Sequence, residues 1–154
     1  MSTSTEGRTY SIKEAATLTG LPASTLRYYE SIGVIPPIGR GASSGHRVYD
    51  ERDLDQLMSI ACLAATGMSI GDMRQYAANN RLGRAAVDDQ VALLTAQAER
   101  LAREAEQLEI RRRYVAIKVD YWHAVEADDQ DAARTIAARA RELADTLTRL
   151  ERAG

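Results

Sequence analysis

The stretch Pro22-Ala23-Ser24-Thr25-Leu26-Arg27-Tyr28-Tyr29-Glu30 gathers hydroxyls, a guanidinium and a phenol into a few consecutive positions. Wound as a helix, it turns Leu26 and Tyr29 inward, three residues apart, and leaves Ser24, Thr25, Arg27 and Tyr28 on or near the outward face. Such groups on the first turns of a helix suit a nucleic-acid duplex, where they reach base edges and phosphates. A second chemistry is offered by Cys62, the only cysteine, whose thiolate would attack an electrophile. The competing reading makes Cys62 a small hydrophobe on an apolar helical face, since its neighbours Met58, Ser59, Ala65 and Thr66 bring no base or cation. A third group is Tyr121-Trp122-His123, either an aromatic pocket for a small apolar ligand or, the favoured reading, a plug at a helix junction. Enzyme chemistry finds no footing: there is no Ser/His/Asp set, no pocket-like carboxylate pair and no glycine-rich phosphate loop. His46 and His123 have no metal-ligand spacing, so no catalytic residue, metal or cofactor is expected.

The elements that must position these groups follow from caps and breakers. Ser11-Ile12-Lys13-Glu14 has capping-box spacing and opens a helix with Ile12, Ala15, Ala16 and Leu18 as its apolar stripe, closed by Gly20. Leu21-Pro22 opens the second helix, which runs to about Ile32 and ends at Gly33, so the pair forms a helix-turn-helix. Between residues 34 and 49, Pro36-Pro37, Gly39, Gly41 and Gly45 forbid a helix. Val34-Ile35 and Arg47-Val48-Tyr49 are expected to pair there as the strands of a wing. Asp50 caps a third helix to about Thr66, with Leu54, Leu57, Met58 and Ala61 inward and Cys62 a further candidate for that face; Gly67 breaks it, and Ser69 recaps a shorter helix over residues 70–79.

From residue 84 to 127 neither Pro nor Gly interrupts the chain, and Val87, Leu94, Leu101, Leu108 and Val115 recur every seventh position. Val91, Ala98, Ala105 and Val119 fill the complementary positions, with Arg112 the one polar intruder. Such a coiled-coil helix, about 65 Å long at 1.5 Å per residue, is expected to bury its seam against a second copy of the chain. Asp128-Asp129-Gln130-Asp131 starts a last helix with the stripe Ile136, Ala140, Leu143, Ala144, Leu147 and Leu150. The expected organisation is a flexible tail at 1–8, a winged helix-turn-helix domain at 9–83, a dimerisation helix at 84–127 and a C-terminal helix at 128–154.

Composition agrees with a mainly α chain. Aromatics are 5% of the 154 residues, with no Phe, so the core must come from Leu, Ile, Val and abundant Ala. The net charge of −2 hides an asymmetry: Arg8, Lys13, Arg27, Arg40 and Arg47 outnumber Glu6, Glu14 and Glu30 in residues 1–49, and the acidic excess lies beyond. One cysteine excludes disulfide frameworks, Cys-rich zinc sites and four-cysteine iron–sulfur centres. No apolar run approaches the ~20 residues of a membrane span, and no hydrophobic signal opens the chain, so a cytoplasmic protein is expected.

Tyr10-Ser11-Ile12-Lys13-Glu14-Ala15-Ala16, Thr25-Leu26-Arg27-Tyr28-Tyr29-Glu30 and Gly33-Val34-Ile35-Pro36-Pro37 resemble the start of MerR-family transcriptional regulators. Gly45-His46-Arg47-Val48-Tyr49 and Thr66-Gly67-Met68-Ser69-Ile70 extend the resemblance, which runs motif by motif over residues 10–79. It implies a two-fold homodimer joined by an antiparallel coiled coil through Val87, Val91, Leu94, Leu101, Leu108 and Val115. It also implies a palindromic operator in double-stranded promoter DNA, with the promoter elements spaced too far apart. Effector binding would then bend and untwist the DNA so that RNA polymerase reads both elements. Carried over by position, Ser24, Thr25, Arg27 and Tyr28 fall on the family's recognition helix, and Arg47 and Tyr49 on its phosphate-contacting wing positions, with Arg40 added at the wing base.

Metal-sensing members carry cysteines at the start of the dimerisation helix and after it. Residues 84–91 and 124–154 contain none, and the iron–sulfur branch is excluded for the same reason. A branch responding to aldehydes or other electrophiles, including nitrosative stress, has a single cysteine at the offset of Cys62 before the Thr-Gly-Met. An adduct there would shift how the DNA-binding head sits on the coiled coil. The other small-molecule effector site left open is Tyr121 with Trp122. An architectural DNA-binding protein that senses nothing is the remaining alternative. The C-terminal segment is too short for a multidrug-type ligand domain.

Overall fold

In the computed structural model the described residues are 7–153, so the tail expected at 1–8 falls almost wholly outside them. The chain is mainly α, as expected, with helices α1 (Ile12–Thr19), α2 (Ala23–Ser31), α3 (Glu51–Ala65), α4 (Ile70–Leu82), α5 (Val87–Glu126) and α6 (Gln130–Ala153). A 3₁₀ turn, Gly83–Ala86, joins α4 to α5. The chain divides into two compact units, Met1–Gln97 and Ala98–Gly154.

In the first unit the local signals act as expected. Ser11 Oγ accepts the Glu14 N–H and Glu14 Oε1 accepts the Ser11 N–H, both at 3.2 Å, closing a capping box at the start of α1. Gly20 ends that helix at φ 72°, a conformation in which a side chain is strained. Asp50 and Asp53 form a second reciprocal cap on α3, and Ser69 caps α4 through the Asp72 N–H. Ala15, Leu26, Tyr29, Leu57 and Met73, with Val34 and Ile35, make the core that these helices share. Leu18, placed in the inward stripe by periodicity, is exposed instead, and Thr19 takes the buried position and bonds the Ala15 carbonyl.

Two other expectations are corrected. Val34-Ile35 does not pair with residues 47–49: both are buried in the core, and their backbone N–H groups bond the Tyr29 carbonyl. Pro36 and Pro37 lack the N–H a ladder needs, so the hairpin forms later. Arg40 pairs with Arg47, while Tyr49 pairs with Tyr10, with backbone bonds of 2.8 and 2.9 Å. On α3 the inward residues are Leu54, Leu57 and Ile60, whereas Met58 and Cys62 are exposed. The stripe advances by three, so Met58 and Cys62, four apart, lie together on the flank.

α5 is tied to the first unit by amides. Asn79, buried, accepts from Gln75 at 2.8 Å and donates to Gln90 at 3.1 Å, and Gln90 in turn donates to the Tyr76 carbonyl at 3.1 Å. One heptad on, buried Gln97 donates to the Thr66 carbonyl and hydroxyl at 3.2 and 3.3 Å. These bonds carry the first unit well past the start of α5.

In the second unit, Asp128 at φ 54° turns the chain and Asp129 caps α6 by accepting the Ala132 N–H at 3.0 Å. Ala124 and Ala140 are its buried residues. Val87, Val91, Leu94, Leu101, Leu108, Val115, Val119 and Trp122 form a stripe along α5, each between 37 and 64% exposed. Arg112, within that stripe, is held by Glu109 of its own helix at 2.8 and 2.9 Å; the pair lowers the Glu109 carboxyl's pKa and raises that of the guanidinium.

Candidate DNA-binding interface

α2 is seated by Leu26 and Tyr29, both buried, and this fixes which side faces out. Ser24, Arg27 and Tyr28 are exposed and Thr25 is half-buried, all on the first two turns. Ser31 bonds the Tyr28 carbonyl, and Gly33 at φ 77° ends the helix and lets Val34 drop into the core.

The hairpin beside it turns at Gly45, φ 69°, where Arg40 donates to the Gly45 carbonyl at 3.3 Å and keeps its side chain exposed. Arg47 behaves differently. Its Nε meets Glu30 Oε1 at 2.7 Å, with both side chains at most one-fifth exposed, so the wing is fastened to the C-terminal turn of α2. The structure thus brings Ser24, Thr25, Arg27, Tyr28, Arg40 and Arg47 to neighbouring elements of one unit.

Tyr49 is a correction. Its ring is wholly buried, so its side chain is not a surface contact. Its hydroxyl has no hydrogen-bond partner among the described residues, and burial raises its pKa, opposed by the nearby charges of Arg47 and Arg27. Tyr49 belongs to the base on which the interface stands.

Two features escaped the sequence reading. Glu30 is the clamp on Arg47, a pairing across seventeen positions that only the tertiary fold reveals. Arg74 and Arg81 line a groove with Gly33, Gly71, Gln75 and Ala78, and Arg81 donates to the Gly33 carbonyl at 3.2 Å. The groove has no carboxylate in its lining and adjoins the end of α2. The signal was available: two arginines seven apart fall on one helical face.

Of the sensing candidates, Cys62 is exposed on the last turn of α3. Its carbonyl accepts the Thr66 N–H, and Thr66 is the residue that Gln97 of α5 holds. Tyr121 and Trp122 do not line one pocket: Tyr121 lines a cleft facing α6 and Trp122 belongs to the exposed stripe, although their rings meet edge-on at 5.5 Å. Among the described residues no group of three or more His, Cys, Asp or Glu side chains could hold a metal ion, and no helix is long and apolar enough to cross a membrane.

A recognition helix raised on an apolar base, beside a hairpin that carries arginines, defines a winged helix-turn-helix DNA-binding regulator. The family model described as "MerR HTH family regulatory protein" matches residues 10–80. The chain is 31% identical over 107 residues to an uncharacterised HTH-type transcriptional regulator of Haemophilus influenzae, covering 70% of this chain and 76% of that one. It is 38% identical over 90 residues to the HTH-type transcriptional regulator AdhR of Bacillus subtilis, covering 58% of this chain and 64% of AdhR. Among solved structures it resembles HiNmlR, a MerR family regulator lacking the sensor domain and bound to promoter DNA. There the TM-score is 0.65 at 26% identity, over 84% of this chain and 96% of that one. The chain belongs to the MerR family of helix-turn-helix transcriptional regulators.

Proposed function

We propose that the chain works as a homodimer on a two-fold promoter operator and changes transcription by distorting the DNA between the two half-sites. The observation that carries this reading is the α5 stripe: eight large apolar side chains from Val87 to Trp122 stay more than a third exposed in the single chain. Buried against the same stripe of a second copy, they would form a knobs-into-holes seam. Two heads then present two copies of Ser24, Thr25, Arg27 and Tyr28 to successive grooves. Arg40, Arg47, Arg74 and Arg81 neutralise phosphates on either side. Deforming the DNA between half-sites realigns the promoter elements for RNA polymerase.

The effector reading rests on Cys62. Its thiolate adds to the carbonyl carbon of an aldehyde; the C–S bond forms as the C=O π pair moves to oxygen, which takes a proton from water to give a hemithioacetal. Exposure gives a reagent access, and the turn carrying Cys62 ends at Thr66, so an added group sits one turn from the Gln97 bonds. Intact-mass measurement after formaldehyde treatment, beside a promoter reporter carrying Cys62→Ser, tests it. Adduct formation with loss of response in the Ser variant is expected; an unmodified thiol with full response in that variant would end the sensor reading.

A further inference from the structure

Within the unit Ala98–Gly154, α5 and α6 leave a gap between their facing stripes. Tyr114, Lys118 and Tyr121 occupy positions i, i+4 and i+7 of α5, opposite Ala137, Ala140, Arg141 and Ala144 of α6. Methyl groups set against phenol rings do not fill the space, and a cleft of about 260 Å³ remains. Its charged groups are Lys118 and Arg141, and no carboxylate lines it. Neither cation has an ion-pair partner among the described residues. Lys118 Nζ instead sits over both rings, 5.6 Å from the Tyr114 centroid and 5.9 Å from that of Tyr121. On the far side of Tyr121, toward the α5–α6 turn, the next cleft is edged by Asp128 and Asp129, and the one beside Trp122 by Glu126, so within this unit the carboxylate-free cationic lining belongs to this cleft.

Two uncompensated cations beside aromatic and methyl walls match a ligand with a flat apolar body and one negative end. We propose that this cleft binds a small aromatic carboxylate, its carboxylate between Lys118 and Arg141 and its ring against Tyr114, Tyr121 and the alanine methyls. The site depends neither on Cys62 nor on the DNA-binding face, and it reverses the polarity expected of an apolar pocket at Tyr121 and Trp122.

Trp122 is the only tryptophan, and its edge contact with Tyr121 makes it a built-in reporter. The full chain is titrated with benzoate and, separately, with its neutral isostere benzamide, following tryptophan emission and binding heat. Benzoate is expected to give a saturable change, with benzamide weaker by roughly tenfold or more, the contribution of a charge-assisted hydrogen bond. Lys118→Gln and Arg141→Gln, both at exposed side chains and checked for unchanged helicity, are each expected to weaken benzoate by a similar factor, while Cys62→Ser leaves it unchanged. No saturable benzoate signal, equal affinity for benzamide, or full affinity in both charge-neutral variants would overturn the proposal.

Discussion

Tyr49→Phe discriminates between two roles for the wing tyrosine. The ring is wholly buried, its backbone is bridged to Tyr10, and its hydroxyl finds no partner among the described residues. A buried donor left unsatisfied costs about 1–3 kcal/mol relative to its hydrated state in the unfolded chain. Phenylalanine keeps the ring's packing and removes that cost. It also leaves a gap the size of one oxygen, with some lost dispersion contact, so the low end applies: a gain of about 1 kcal/mol. Urea unfolding followed by circular dichroism, at matched protein concentrations because association adds its own term, measures it. The same variant titrated onto its operator is expected to bind within about twofold of the native chain, since the side chain lies beneath the surface rather than on it. A loss of stability near 1 kcal/mol, or a tenfold loss of DNA affinity with the fold intact, would refute the argument: the hydroxyl would then have a partner, in the protein or on the DNA.

The other predictions concern the faces around it. Arg27→Ala, at an exposed position of α2, is expected to lower operator affinity by about 1–3 kcal/mol while sedimentation still shows the dimer; unchanged affinity would count heavily against the docking. Arg47→Ala is expected to weaken all DNA sequences alike and to reduce the slope of log affinity against log salt by about one, the mark of a phosphate contact. Leu108→Asp places a charge in the middle of the α5 stripe and is expected to shift the sedimentation coefficient to that of a monomer, with helicity in the head retained.

How much of this was legible depended on the reach of each signal. The caps at Ser11, Asp50 and Ser69 and the left-handed glycines at 20, 33, 45 and 67 act over three or four residues, so the bare sequence sufficed to locate them. The α5 stripe was legible because it repeats. The wing was not, since the apolar run Val34-Ile35 looks like a strand until Pro36 and Pro37 are weighed as missing donors. Tyr49 was misplaced for a subtler reason. Period two puts residues 47 and 49 on one face, and the structure obeys it. Arg47 meets Glu30 at the edge of that face, while the Tyr49 ring joins the core cluster beneath it. No local pattern announces the Glu30–Arg47 pair, or the amides joining Asn79, Gln90 and Gln97 to their partners, because each partner comes from another turn of the fold.

α5 solves two problems by rotating its chemistry around one axis. The positions that meet the head, Ala86 just before it and then Gln90 and Gln97, are small or amide-bearing, and their neighbours one step on, Val87, Val91 and Ala98, lie on the apolar side. Successive residues lie about 100° apart, so the two functions never compete for the same surface. The choice of amides for the head-facing side has an energetic consequence. A net hydrogen bond contributes about 1 kcal/mol, because water offers nearly as good a partner, whereas each leucine buried in an apolar seam contributes about 1.5–3 kcal/mol. The attachment at Gln90 and Gln97 is therefore specific in geometry yet shallow in energy. In the proposed dimer the seam would then outlast a change at the head, an ordering of strengths that follows from the alternation of glutamine with valine and leucine along α5.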